Sequence, residues 1–203
     1  MLKGSLAYRT NRDAIWHADV PKKYLRLLEH VPGDRILELG SAEGVLALVL
    51  AQRKEKIFAL EMKKDRHEEA LQLQAHWRER GLDVDRCEMI LGNIKERFDL
   101  LPQVDTLLGV RSIYYLREDV QRVFDAVGQH VKHVVLCGNK NRARRYFDAN
   151  GMPGDKLGTY NYYASKEGMI SILETSGYSI VKTVDDGDPI VVGVKNVKGS
   201  HVR

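Results

Sequence analysis

Apolar positions recur along this chain in two rhythms that alternate: short solid runs, and stripes spaced by three and four residues. The solid runs Arg35–Leu39, Ile57–Glu61, Cys87–Leu91, Asp105–Val110 and His133–Cys137 predict five strands. Between them the stripes predict helices. Asp19 and Pro21 open one that runs to about His30, and Pro32-Gly33-Asp34 makes the turn into the first strand. A second helix is expected near Val45 to Arg53, and a third near Arg66 to Arg80, where Ala70, Leu73 and Trp77 share a face. Val120, Val123, Phe124 and Val127 fall at i, i+3, i+4 and i+7, the spacing of one helical face. Ser165 caps a last helix, which turns Met169, Ile172 and Leu173 inward and ends at Gly177. Tyr178–Val184 and Ile190–Val194, joined only by Asp185-Asp186-Gly187-Asp188, predict an antiparallel hairpin. Five βα units and a hairpin imply an α/β protein with a seven-stranded, mostly parallel sheet, helices on both faces and one reversed strand.

Composition narrows the picture. At 203 residues the chain has the size of a single domain, expected over residues 31–203, with an N-terminal cap or lid over residues 1–30. A 43% hydrophobic and 30% charged composition is that of a soluble globular protein. The longest apolar stretch, Val45–Ala51, has seven residues against the roughly twenty of a membrane span, and no signal-peptide core opens the chain; a cytoplasmic location is expected. Cys87 and Cys137 lie in separate apolar runs and read as reduced core residues. His130 and His133 have H-x-x-H spacing but straddle a helix end and a strand start with no nearby carboxylate, so no metal site is expected. A net charge of +4 is mild for a dedicated nucleic-acid binder and favours an anionic ligand only weakly.

Ligands of such sheets bind beyond the C-terminal strand ends. The first strand leads into Glu38-Leu39-Gly40-Ser41-Ala42-Glu43-Gly44, with G-x-x-x-G spacing. A dinucleotide fingerprint would be G-x-G-x-x-G with room for a pyrophosphate at the helix start, where Glu43 instead places negative charge. An acidic residue closing the strand, followed by glycines, suits a ligand with a cationic amino group and no phosphate.

Taken with Glu61 ending the second strand, Gly92-Asn93 after the third and Leu108-Gly109-Val110-Arg111-Ser112 after the fourth, the segment Ile36–Gly44 resembles the class I S-adenosylmethionine-dependent methyltransferases, over about residues 31 to 195. Ala42 stands where that family often has a middle glycine, and Asn93 where an aspartate is common. The resemblance implies a Rossmann-like fold and S-adenosyl-L-methionine as cofactor. It implies that Glu38 and the Gly40 backbone hold the methionine end, within a loop that includes Ser41, Ala42 and Gly44. Glu61, followed by Met62, would take the ribose hydroxyls, Asn93 and Ile94 would meet the adenine edge, and Gly109 and Val110 would complete the site.

The acceptor side is less legible. For Tyr8, Arg9 and the segment through Trp16 and His17 the resemblance implies a lid over the cofactor, with His17 as a base; the other reading is an ordinary structural cap. Arg111 after strand four would bind an acidic acceptor and Tyr114 or Tyr115 would wall it, burial of one tyrosine being the competing reading. The run Lys140–Arg145, containing Arg142, Arg144 and Arg145, and the later Tyr160 and Tyr162 suit an anionic acceptor bearing a ring, or else the arginines form a solvated helix face. The expectation is O-methylation of a small or terminal anionic acceptor such as a sugar, a phosphate-bearing metabolite or a glycan end. The alternatives are an RNA methyltransferase acting on tRNA and a non-catalytic cofactor-binding regulator.

Overall fold

A computed structural model describes residues 22–96, 102–128, 130–148 and 160–196. Helix α1 (Lys22–Leu28) precedes β1 (Arg35–Leu39), α2 (Val45–Ala51), β2 (Lys56–Glu61), α3 (Lys64–Glu79), β3 (Cys87–Leu91) and β4 (Thr106–Val110). A 3-10 helix (Ile113–Asp119) runs into α4 (Val120–Val127), followed by β5 (His133–Cys137), α5 (Lys140–Asp148), α6 (Lys166–Thr175), β6 (Tyr178–Val184) and β7 (Ile190–Lys195). The strands form one seven-stranded sheet in the order β3-β2-β1-β4-β5-β7-β6. β1 pairs parallel with β2 and β2 with β3, while β7 runs antiparallel to both β5 and β6. No described helix is long and apolar enough to cross a membrane.

Two compact units divide between Leu108 and Gly109. In the first, β1 and β2 are buried at every position after their first residue, and all seven residues of α2 are buried. Ala70, Leu73 and Trp77 of α3 are buried as their spacing predicts, and Gln74 joins them because its Nε2 donates to the carbonyls of Val84 and Cys87. In the second unit Val120, Val123, Phe124 and Val127 fill the α4 face, and Met169, Ile172 and Leu173 that of α6. The Ser165 Oγ accepts the Gly168 N–H at 3.1 Å, the N-cap expected from sequence. β6 carries a bulge between Ile180 and Lys182, which suits a sheet edge.

Several expectations shift. The first helix ends at Leu28 rather than His30, the second at Ala51 rather than Arg53, and the third starts two residues earlier, at Lys64. β4 begins at Thr106 rather than Asp105, because the Asp105 carboxylate turns back to accept the N–H groups of Asp34 and Arg35 at 2.9 and 3.0 Å. Cys87 is buried as expected, but Cys137, at the end of β5, is only half-buried.

Gly33 sits against Asp105. Its φ is +72°, and an added Cβ would lie 2.4 Å from the Asp105 Cβ. Gly81 has a similar φ of +78° with nothing within 4 Å of such a Cβ. Gly33→Ala is therefore expected to cost about 2–4 kcal/mol, the sum of overpacking and a left-handed alanine, and Gly81→Ala only about 1 kcal/mol. Denaturant midpoints of the two variants check this; equal losses would contradict the crowding at Asp105.

Candidate functional site

The loop that follows β1 is built from left-handed turns. Gly40 and Gly44 have φ of 70° and 73°, and Ala42 between them adopts φ 51°, costly for a residue with a Cβ. Two anchors hold it. The N–H groups of Gly40 and Ser41 donate to the Leu60 carbonyl at 2.9 and 3.1 Å, and the Ala42 N–H donates to Glu61 Oε2 at 2.9 Å. Gly44 caps α2 at a φ that favours glycine, and an added Cβ would come within 2.8 Å of the Met89 methyl and 3.1 Å of Ala70.

Glu38 lies in β1 with its carboxylate buried, 3% exposed. Its Oε2 has no hydrogen-bond partner. Burial pushes its pKa up to about 8; a backbone hydrogen bond with Ala47 opposes that, and the charge of Glu61 adds to it. A sealed carboxyl with an open oxygen is an incomplete arrangement, and a ligand cation would complete it. Glu43 and Glu69 are buried as well, and burial raises the Glu43 pKa.

Glu61 is 6% exposed, which excludes a solvated strand-end residue. Besides the Ala42 N–H, its Oε1 accepts the Lys63 N–H at 2.8 Å. Each oxygen keeps a free lone-pair direction, so the group is oriented yet still able to accept from a ligand hydroxyl. Met62, beside it, is 60% exposed, whereas Ile94 is buried. Asn93 is used locally: its Oδ1 accepts the Lys95 N–H at 3.1 Å and its Nδ2 donates to Glu96 at 2.7 Å, a turn geometry. Glu38, Glu61 and the loop between Gly40 and Gly44 are thus joined through hydrogen bonds and charge within the first unit, and Asn93 is tied to its own turn.

In the second unit Gly109 admits no side chain, since a Cβ would lie 2.7 Å from Ile113 and 3.2 Å from Leu136. Arg111 leaves β4 with a left-handed φ of 52° and donates its N–H to the Cys137 carbonyl. Its guanidinium is already engaged: Nε donates to Asp188 Oδ2 at 2.7 Å and Nη2 donates to the same oxygen. The other oxygen, Oδ1, accepts the Lys140 N–H at the start of α5. Asp188 was legible in the sequence only as a hairpin-loop residue, and nothing there marked it as the partner of Arg111.

Tyr114 is buried and Tyr115 is 55% exposed, so one tyrosine of the pair is core. Tyr114, Tyr115 and Tyr160 form a ring cluster with centroids 4.8–5.4 Å apart. The Arg142 guanidinium lies 4.5 Å from the Tyr160 centroid, 5.0 Å from Tyr114 and 5.6 Å from Tyr115. Burial raises the pKa values of Tyr114 and Tyr160, so their hydroxyls stay protonated at neutral pH. The basic run therefore splits. Arg142 is half-buried on tyrosines, Arg144 is exposed and pairs with Asp148 one turn on at 3.2 Å, and Arg145 is exposed. Tyr162 stacks instead with Tyr146 and Tyr163. Tyr8, Arg9 and His17 lie outside the described residues. Among the described residues no group of three or more His, Cys, Asp or Glu side chains is placed to hold a metal ion.

No family model and no curated protein matches the sequence. Solved structures do match. Magnesium protoporphyrin IX methyltransferase (ChlM) from Synechocystis PCC 6803, with bound SAH, has a TM-score of 0.65 at 16% identity, over 97% of this chain and 90% of that one. A SAM-dependent methyltransferase from Aquifex aeolicus has a TM-score of 0.63 at 16% identity, over 91% and 98%. The mitomycin 7-O-methyltransferase MmcR has 0.57 at 19% identity, over 81% and 49%. With the strand order and the loop after β1, these likenesses show that the chain has the class I S-adenosylmethionine-dependent methyltransferase fold.

Proposed function

We propose that the protein is an S-adenosylmethionine-dependent methyltransferase that O-methylates a small or terminal anionic acceptor. The observation that carries the cofactor assignment is Glu38, a buried carboxyl with one unpartnered oxygen at the end of β1. An amino group of the cofactor supplies the missing cation and donor, and a phosphate-bearing dinucleotide would meet Glu38, Glu43 and Glu61 instead. Glu61, oriented by two backbone donors, takes the ribose hydroxyls, and exposed Met62 offers an apolar surface to a base.

When bound, S-adenosylmethionine supplies an activated methyl group, so the protein's part is to hold, align and exclude water. The second unit carries the groups suited to acceptor recognition: Arg142 and the tyrosines around it. Tyrosines held protonated by burial act there as donors, not as bases. The neighbours named for a porphyrin and for a mitomycin support an acceptor of modest size.

The test is turnover of S-adenosylmethionine with panels of hydroxylated acids, sugar phosphates and tRNA, at two salt concentrations. Methylation of a small acid or phosphate ester with shallow salt dependence is expected. Turnover with tRNA alone, falling steeply with salt, would make the RNA reading correct instead. Cofactor binding without turnover on any member of the panel would count against an enzyme.

A further inference from the structure

We propose that Arg142 is a single-anion anchor, a guanidinium set among Tyr114, Tyr115 and Tyr160 that receives one carboxylate or phosphate oxyanion. The inference rests on reading the second unit as the acceptor-recognition half, and it names the residue and the chemistry of that recognition.

Three observations carry it. Arg142 is half-buried, yet among the described residues it joins no ion pair; its one side-chain hydrogen bond is to the Tyr115 hydroxyl, at 3.5 Å. A guanidinium has five N–H donors, so most of its donor fork is unused. The ring faces offset part of the cost of withdrawing the cation from water while leaving that fork free, because attraction to a π face needs no N–H···O bond.

Helix packing does not explain its position. α5 buries none of its own residues, so no apolar stripe draws Arg142 inward. The helix start is fixed instead by Asn139, whose Oδ1 accepts the N–H groups of Asn141 and Arg142 at 3.1 and 3.3 Å, and by Asp188. These contacts hold the backbone of Arg142 and leave its side chain to the tyrosines.

Burial raises the pKa values of Tyr114 and Tyr160, so neutral, protonated hydroxyls stand beside the guanidinium. A cationic fork beside protonated hydroxyls selects an anion and rejects a second cation. The other three candidates are committed elsewhere or less confined: Arg111 is neutralised by Asp188, Arg144 pairs with Asp148 in solvent, and Arg145 is exposed.

The experiment follows the side-chain Nε–Hε signal of Arg142 by NMR in the full chain, assigned by its loss in Arg142→Lys. Benzoate, phenyl phosphate and uncharged benzyl alcohol are titrated separately. A saturable shift with an anion and none with benzyl alcohol is expected, and the tighter of the two anions names the oxyanion. By tyrosine fluorescence, Arg142→Lys, which keeps the charge but loses the fork, should weaken that anion by roughly tenfold to a hundredfold, the scale of a charge-assisted hydrogen bond. Arg78→Met, which removes a guanidinium paired with Asp85 in the first unit, should leave it unchanged. A folded protein whose signal moves with neither anion, or an Arg142→Lys variant of undiminished affinity, overturns the proposal. S-adenosylhomocysteine binding measured on the same samples separates the two readings: with it intact and no anion bound, the Arg142 assignment alone fails.

Discussion

Glu38→Gln is expected to reduce affinity for S-adenosylhomocysteine by at least about tenfold, and to abolish a pH dependence of stability that the parent protein shows. The carboxyl titrates near 8 in the folded chain against 4.5 in its ordinary state. Between those values the folded state keeps a proton that the unfolded state has released. Stability therefore falls as pH rises from about 4.5 to 8 and is level above that range. At about 1.4 kcal/mol per unit, the fall has an upper bound of roughly 5 kcal/mol. Glutamine cannot ionise, so thermal or urea unfolding of Glu38→Gln should lack this component, and the two pH profiles should diverge most below pH 8. The loss of affinity has a separate cause: an amide cannot pair with the ligand's ammonium group, and a hydrogen bond to a charged group contributes about 1.5–3 kcal/mol. Parallel pH profiles for parent and variant would show that Glu38 titrates normally and would remove the basis of the cofactor assignment.

Glu61→Ala is expected to damage both fold and binding, in proportions that a second substitution separates. The carboxylate holds the backbone N–H groups of Ala42 and Lys63, and it keeps Ala42 in a left-handed conformation that alanine resists. Losing two bonds to a charged group should cost about 3–5 kcal/mol of stability and bring cofactor binding below detection. Adding Ala42→Gly to Glu61→Ala should return about 1 kcal/mol, because glycine adopts that φ without penalty. Binding should not return with it if Glu61 holds the ribose as proposed. Recovery of affinity in the double variant would assign Glu61 a purely structural role, read by calorimetry beside urea denaturation.

Where burial dictated the pattern, the fold was legible in the sequence. Arg35–Leu39 and His133–Cys137 are strands at the predicted bounds, because a strand covered by neighbours must be apolar. The edge strands Cys87–Leu91 and Tyr178–Val184, largely unburied, also keep their predicted bounds, next to Gly92 and Gly177. The 3-10 helix Ile113–Asp119 was not expected, for its buried Ile113, Tyr114 and Leu116 span little more than one turn and the backbone leaves the helical region at Arg117. Helix α5 carries no apolar stripe at all, and its start is fixed by Asn139 and Asp188, contacts not anticipated from the sequence.

The first-unit site was read from position: an acidic residue, glycines and a second acidic residue at successive strand ends. What position could not convey was commitment. Asn93 has the right place but is hydrogen-bonded within its own turn, Arg111 is held by a residue 77 positions away, and only Arg142 of its basic run reaches the tyrosines. Such pairings depend on tertiary contacts between segments that carry no mark of each other in the sequence.

The central claim, that a ligand ammonium completes a protonated Glu38, is tested most directly by titration calorimetry of the full chain with S-adenosylhomocysteine at pH 6.5 in two buffers of different ionisation enthalpy. Pairing with the ammonium requires Glu38 to ionise, so binding should release about one proton in the parent and none in Glu38→Gln, and parent affinity should rise toward pH 8. Absence of binding at millimolar ligand, or binding with the same proton count in parent and variant, would contradict the account.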